Sequence, residues 1–175
     1  MPLSGEGLEI GAGSGRFAAA LGIKTGIEPS DKLGNMARSR GINVIKGVAE
    51  SLPFLDQQFD YVLFGTVMCF LEDPLPALLE AKRVLKPNGT LIIGMLDKNS
   101  KLVKSYEARK ENPFYRDAHF FAVNEILILL HEAHFKEKEI YQTIFARLED
   151  IKQPEIVKPG YGEGGYVIIS AQPRL

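Results

Sequence analysis

The 175-residue chain is 45% hydrophobic and 25% charged with a formal net charge of −1, a balance that suits one domain with a full core and gives no global electrostatic drive toward nucleic acid or an acidic membrane. Its one cysteine, Cys69, excludes an internal disulfide and a three-cysteine iron–sulfur cluster, and with the cluster the radical chemistry it would support. No apolar run approaches the roughly 18 residues of a spanning helix, and the Met1–Glu6 segment has neither the basic nor the apolar region of a secretion signal, so the expected compartment is the cytoplasm.

In chain order, Gly7–Ile10 reads as a short strand running into glycines, and Arg16–Leu21 as a brief alanine-rich helix. Ile23–Glu28 is a second strand. Ser30 can cap a helix that stops at Gly41, the residue type expected just past a helix end. Ile42–Ile45 and Asp60–Phe64 are the third and fourth strands. Asp73-Pro74 is a helix start, an acidic cap followed by a proline suited to the first turn. Leu75, Leu78, Leu79 and Val84 follow at helical spacing, and Lys86-Pro87-Asn88-Gly89 supplies turn chemistry before the apolar strand Thr90–Leu96.

The second half begins with a polar and aromatic stretch, Lys98–Phe121, holding a helix around Leu102–Lys110. A further helix spans Asn124–Ala133, and Phe135–Phe145 and Gly165–Ala171 are strands. The segment joining them is short and rich in proline and glycine, unsuited to a crossover helix, so the two pair antiparallel. Strand–helix alternation with apolar strands predicts an α/β, doubly wound, mostly parallel sheet of seven strands with an antiparallel last strand. The whole chain, residues 1–175, is expected to form a single domain.

The chemistry concentrates at Glu9-Ile10-Gly11-Ala12-Gly13-Ser14-Gly15. Glycine allows a sharp turn that presents bare N–H groups, and the following helix adds partial positive charge. Such a turn takes a phosphate or the carboxylate of an amino acid. The dinucleotide pattern requires a third glycine three residues after the second, and Arg16 stands there. The lysine of the phosphate loop is also absent. Glu28, at the end of the second strand, can accept hydrogen bonds from both hydroxyls of a ribose.

The motifs in order resemble a class I S-adenosylmethionine-dependent methyltransferase of the broad small-molecule type. Leu8–Gly15 is similar to the family's first motif and Gly26–Ser30 to its second. Gly47–Phe54 resembles the segment passing the adenine, Phe59–Val62 the fourth strand, and Arg83–Leu91 the turn into the fifth. The resemblance implies a Rossmann-like methyltransferase fold, S-adenosylmethionine as cofactor and S-adenosylhomocysteine as product. It implies that Gly11, Ala12 and Gly13 face the methionine portion, with Glu9 steadying the turn and Arg16 reaching the cofactor carboxylate. Glu28 takes the ribose, and Pro29 lies against the adenine. Ala49 offers its N–H to the ring, with Glu50 and Leu52 nearby, and Phe64, Gly65 and Thr66 follow the methionine moiety. Three departures stand out: Val48 where an aspartate is common, no histidine near Cys69 and Phe70, and a first strand beginning almost at Met1, so that the cofactor is more open or covered by a later segment.

Ligands in such sheets bind beyond the carboxyl ends of the strands, where two long loops, residues 98–122 and 146–164, are expected to form the acceptor pocket. His119, Tyr106, Tyr115 and Tyr161 are the candidate catalytic residues, and the aromatics of the first loop serve equally well to pack a small subdomain. His131 and His134 read as structural, no metal site is expected, and Cys69 reads as a small packed residue. The interleaved charges from Lys98 to Glu111 read as a solvated helix. The expected partner is a small-molecule acceptor, with neither nucleic acid nor membrane. Two alternatives stay open at this point: a nucleotide (NAD)-dependent oxidoreductase, and a non-catalytic domain that binds S-adenosylmethionine.

Overall fold

The computed structural model describes residues 5–108 and 118–174. The chain runs β1 (Gly7–Ile10), α1 (Arg16–Leu21), β2 (Thr25–Ile27), α2 (Asp31–Ser39), β3 (Asn43–Ile45), β4 (Phe59–Gly65), α3 (Pro74–Val84), β5 (Leu85–Leu96), α4 (Lys101–Ala108), α5 (Val123–Glu132), β6 (Phe135–Thr143), β7 (Lys158–Pro159) and β8 (Tyr166–Pro173). Among the described residues these strands form one sheet in the order β3-β2-β1-β4-β5-β8-β6-β7. Neighbours from β3 through β5 pair parallel. β8 is antiparallel to both β5 and β6, as the short β6–β8 connection predicts.

The doubly wound layering follows from strand alternation. In β4, Val62 and Phe64 join the cluster that contains Ala77, Leu78, Ala81 and Val84 of α3 and Ile126 and Leu130 of α5. Tyr61 and Leu63 face the other way and join Ala18 of α1 and Ala37 of α2. Phe59, Phe64 and Phe135 are each no more than 1% exposed, and such burial stabilises by about 1.5–3 kcal/mol per side chain.

Local chemistry sets the helix starts. The Ser30 hydroxyl accepts from the Leu33 N–H at 3.3 Å, and the Asp73 carboxylate from the Leu75 N–H at 3.1 Å. Three details differ from the sequence reading. The sheet has an eighth strand, β7, whose two residues pair with Tyr141 and Gln142 at the edge; two residues carry no periodicity, and Pro159 has no N–H with which to extend the ladder. Residues 86–89 belong to β5 but fall in a register shift between the Phe59–Leu85 and Tyr61–Thr90 pairings. β6 stops at Thr143 because Ile144 takes a left-handed backbone, φ 62°. The last two residues of the helix expected around Leu102–Lys110 lie outside the described residues.

The strand order reverses at β1, with β2 on one side and β4 on the other. A crevice opens beyond the carboxyl ends of the strands at such a reversal, and the glycine turn sits there.

Candidate functional site

Gly11, Gly13 and Gly15 all have positive φ, at 64°, 53° and 77°, a region that disfavours side chains. At Gly11 a Cβ would also collide with the Val67 side chain, and at Gly15 it would come within 2.8 Å of Ala37. The turn is held by two carboxylates. Glu9, 1% exposed, accepts from the Ala18 N–H at 3.0 Å, satisfying one of the free amides in the first turn of α1. Glu28 accepts from the Gly13 N–H at 2.8 Å through one oxygen and from the Ser30 N–H at 2.9 Å through the other. A carboxylate has about four acceptor positions, so Glu28 retains one on each oxygen for a diol.

A cleft of about 720 Å³ lies over this turn. It is lined by Glu9, Gly11, Ala12, Gly13, Arg16, Glu28, Pro29, Ala49, Glu50, Gly65 and Thr66 from the sequence expectation. Leu52 and Phe64 do not line it; they are 5% and 0% exposed and sit in the core beneath. For Phe64 the reason is alternation: Gly65 faces the same side of the sheet as Glu9, and the neighbouring Phe64 faces the opposite one. Residues to which the sequence reading gave no cofactor contact also line the cleft. Phe17, Leu33, Val48 and Phe70 are 41%, 38%, 48% and 54% exposed there. Large apolar side chains left open around one concavity mark a ligand surface. Leu33 had a sequence signal, since it is a lone leucine in the first turn of a polar helix.

The segment bearing Ala49 and Glu50 is anchored from α3. Glu80 accepts from the Leu52 N–H at 2.7 Å. Arg83 donates to the Leu52 carbonyl at 2.9 Å and the Phe54 carbonyl at 2.8 Å, and pairs with Glu80 and Asp56. The two carboxylates raise the Arg83 guanidinium above its ordinary range, the Glu80 hydrogen bond contributing most and Asp56 next.

A second cavity of about 200 Å³ adjoins the cleft at the ends of β4 and β5. Thr66, Met68, Cys69, Phe70, Gly94, Met95, Leu96 and Phe121 line it, so Thr66 and Phe70 belong to both spaces. Thr66 has a left-handed backbone, φ 62°, a strained state for a β-branched residue. It is held by its N–H donating to the Gly94 carbonyl at 2.9 Å and its hydroxyl donating to the Gly65 carbonyl at 2.6 Å. Burial pushes the Cys69 thiol up to about 11, so it stays protonated at neutral pH and is not an activated nucleophile.

The catalytic candidates scatter. The His119 backbone N–H donates to the Cys69 carbonyl at 2.7 Å, and its ring meets Phe121 edge-on with centroids 4.9 Å apart, placing it beside the small cavity. Tyr106 lines a different space of about 450 Å³, between α4 and residues 144–149. The Tyr161 hydroxyl donates to the Asn124 side chain at 2.8 Å. Tyr115 lies outside the described residues. The loop of residues 98–122 therefore reaches the small cavity through Phe121, while residues 146–149 of the second loop line the 450 Å³ space instead. Among the described residues no cluster of three or more histidine, cysteine or carboxylate side chains could hold a metal, and no helix is long and apolar enough to cross a membrane.

A reversed-order α/β sheet, a glycine turn at the reversal, and a carboxylate placed for a ribose define a Rossmann-like protein with a nucleoside-cofactor cleft. Residues 8–93 match the methyltransferase domain family. A solved S-adenosylmethionine-dependent methyltransferase from Thermotoga maritima is 45% identical, superposes with a TM-score of 0.95, and is matched over 98% of this chain and 83% of its own. An uncharacterized protein of Methanocaldococcus jannaschii is 47% identical over 169 residues, 96% of this chain and 82% of its own. For an uncharacterized protein of Mycobacterium tuberculosis the identity is 35% over 94% of this chain, which spans 59% of that relative's length. The chain belongs to the S-adenosylmethionine-dependent methyltransferases, with S-adenosylmethionine as cofactor. That membership sets aside the NAD-dependent oxidoreductase, in keeping with Arg16 where the dinucleotide turn needs glycine.

Proposed function

We propose that the protein transfers the methyl group of S-adenosylmethionine to a small-molecule acceptor seated in the cavity between Thr66, Cys69, Met95 and Phe121. The observation that carries this reading is the shared wall: Thr66 and Phe70 line both that cavity and the cofactor cleft, so an acceptor there stands beside the cofactor. When bound, the cofactor supplies an electrophilic methyl on a sulfonium. The chain supplies position. Gly11, Ala12, Gly13 and Arg16 hold the amino-acid end, Glu28 the ribose, and Leu33, Pro29 and Val48 the adenine, with the Ala49 N–H toward its ring. Thr66, fixed by two hydrogen bonds in a strained backbone, sets the seam between cofactor and acceptor. Holding two reactants in line is worth roughly 7–11 kcal/mol in well-oriented cases, so a dedicated base is unnecessary for an acceptor that is already nucleophilic.

The cavity's lining of methionine, cysteine, leucine and phenylalanine favours a flat or apolar acceptor body. Histamine N-methylation has been suggested for the Thermotoga maritima relative, so histamine belongs in the acceptor panel. The test is transfer of a labelled methyl from S-adenosylmethionine to a metabolite panel, by the natural protein and by Met95→Trp, which fills the cavity. Transfer that Met95→Trp abolishes, with S-adenosylhomocysteine affinity retained, supports the reading. Transfer unaffected by the substitution refutes the acceptor site, and cofactor binding with no transfer to any acceptor favours a non-catalytic binding domain.

A further inference from the structure

The charge on the walls of the cofactor cleft is unbalanced. Its lining holds four carboxylates, Glu9, Glu28, Glu50 and Glu72, and one cationic side chain, Arg16. Two of the four have structural tasks: Glu9 holds the Ala18 N–H, and Glu28 holds the Gly13 and Ser30 N–H groups. Glu50 and Glu72 have none, and among the described residues neither takes part in a hydrogen bond or an ion pair. Two cations that border the lining are engaged elsewhere. Arg40 donates to the Ser14 carbonyl at 3.0 Å, and Lys46 pairs with Asp31 at 2.6 Å. The open carboxylates also stand apart. Glu72 enters from the segment after β4 that supplies Thr66 and Phe70, the residues shared with the small cavity, and Glu50 from the loop after β3. Since β3 and β4 lie on opposite flanks of β1, the two carboxylates bracket the cleft.

We propose that Glu50 and Glu72 make the cleft select the sulfonium cofactor over its thioether product. Transfer leaves the carbon–sulfur bonding pair on sulfur, so the positive sulfonium becomes a neutral thioether. The amino-acid end, the ribose and the base are common to both ligands, which differ by one methyl and one positive charge. A sphere with the cleft's volume of about 720 Å³ is roughly 11 Å across, close to the Debye length of about 10 Å at 0.1 M ionic strength, so carboxylates on its wall act on a charge within it. Each open carboxylate favours the cation by about two- to threefold in a water-like dielectric, and the product loses that attraction as it forms. Negative charge in this space is already crowded: burial, with Glu28 adding to it, pushes the Glu9 carboxyl up to about 7. Glu72 also precedes the Asp73 cap of α3, where a carboxylate suits a helix N-terminus, but that role does not tell one ligand from the other.

Calorimetric titration of S-adenosylmethionine and S-adenosylhomocysteine tests this selection, and it needs no acceptor, so it stands apart from the acceptor-cavity reading. Both ligands are titrated into the natural protein, Glu50→Gln, Glu72→Gln, the double variant, and Glu132→Gln, whose carboxylate is exposed on α5 and outside the cleft. The expected result is a loss of about two- to threefold for S-adenosylmethionine in each cleft variant and about five- to tenfold in the double variant, with S-adenosylhomocysteine nearly unchanged and Glu132→Gln like the natural protein. Added salt is expected to erode the preference of the natural protein for the cation and to act far less on the double variant. Equal losses for the two ligands would mean that the carboxylates only shape the cleft. A ratio of affinities that neither the substitutions nor salt moves would mean that they are merely solvated. A change of the same size in Glu132→Gln would assign the effect to net charge. Each of these three results overturns the selection by Glu50 and Glu72.

Discussion

Glu9 and Glu28 are both nearly enclosed, at 1% and 7% exposed, yet they do different work. Burial, partly offset by the Ala18 hydrogen bond and reinforced by Glu28, raises Glu9 from 4.5 to about 7. The folded protein then holds a proton that the unfolded chain releases near pH 4.5. Stability from this group is fully present below 4.5, falls as pH rises through 7, and is level above that. The span corresponds to at most about 3 kcal/mol. Thermal denaturation of Glu9→Gln across pH 4 to 9 is expected to remove that slope, leaving the variant more stable than the natural protein above pH 7 and equal to it near pH 4.5. A natural protein with no such slope refutes the raised value. Glu28 instead uses one acceptor position on each oxygen to bind the Gly13 and Ser30 N–H groups. Glu28→Ala is expected to weaken S-adenosylhomocysteine by at least about tenfold by calorimetry, since even one lost charge-assisted bond to the diol costs roughly 1.5–3 kcal/mol; unchanged affinity would mean that the ribose sits elsewhere.

Among elements, the loop between β3 and β4 depends for its position on another part of the chain. It carries Ala49 and Glu50 into the cleft but has little regular structure of its own, and its polar anchors are Glu80 and Arg83 on α3. Arg83 retains 31% side-chain exposure, so its ion pairs contribute little and its two bonds to backbone carbonyls contribute more. Arg83→Ala is expected to cost about 1–2 kcal/mol in urea denaturation and to raise the KM for S-adenosylmethionine several-fold while leaving kcat nearly unchanged. A fall in kcat at unchanged KM would place Arg83 in another role. This network also shows where sequence reading stops. The order of strands and helices was legible because periodicity and caps are local: Ser30 and Asp73 act within three residues of themselves. The glycine turn and Glu28 were legible because their chemistry depends on residue type at the end of a strand. The Arg83 anchor spans 29 and 31 residues of chain, and Tyr166 reaches Gly94 only through strand pairing. No local pattern records such contacts. Phe64 and Leu52 were assigned to the cleft by their place in a motif, and the pleat sends Phe64 to the opposite face.

At the scale of the whole molecule, the cleft is built from several elements at once: the β1 turn, the end of β2, the loop after β3 and the end of β4 all contribute walls. A ligand that binds only the folded chain stabilises it by mass action, by about 2.7 kcal/mol at a hundred times its dissociation constant. For a chain of this length each kcal/mol shifts Tm by about 2–4 °C, so S-adenosylhomocysteine at that concentration is expected to raise Tm by about 5–11 °C. The variants then separate binding from architecture. Arg83→Ala should start from a lower Tm yet keep most of the shift once ligand is scaled to its weaker affinity, because the walls reform around the bound nucleoside. Glu28→Ala should lose about half of the shift or more at the concentration that saturates the natural protein, since at ten times weaker affinity the same ligand gives only about 1.4 kcal/mol. If both variants lost the shift in proportion to their starting Tm alone, the cleft would be reporting global stability. The division of labour between the ribose carboxylate and the α3 anchor would then be wrong.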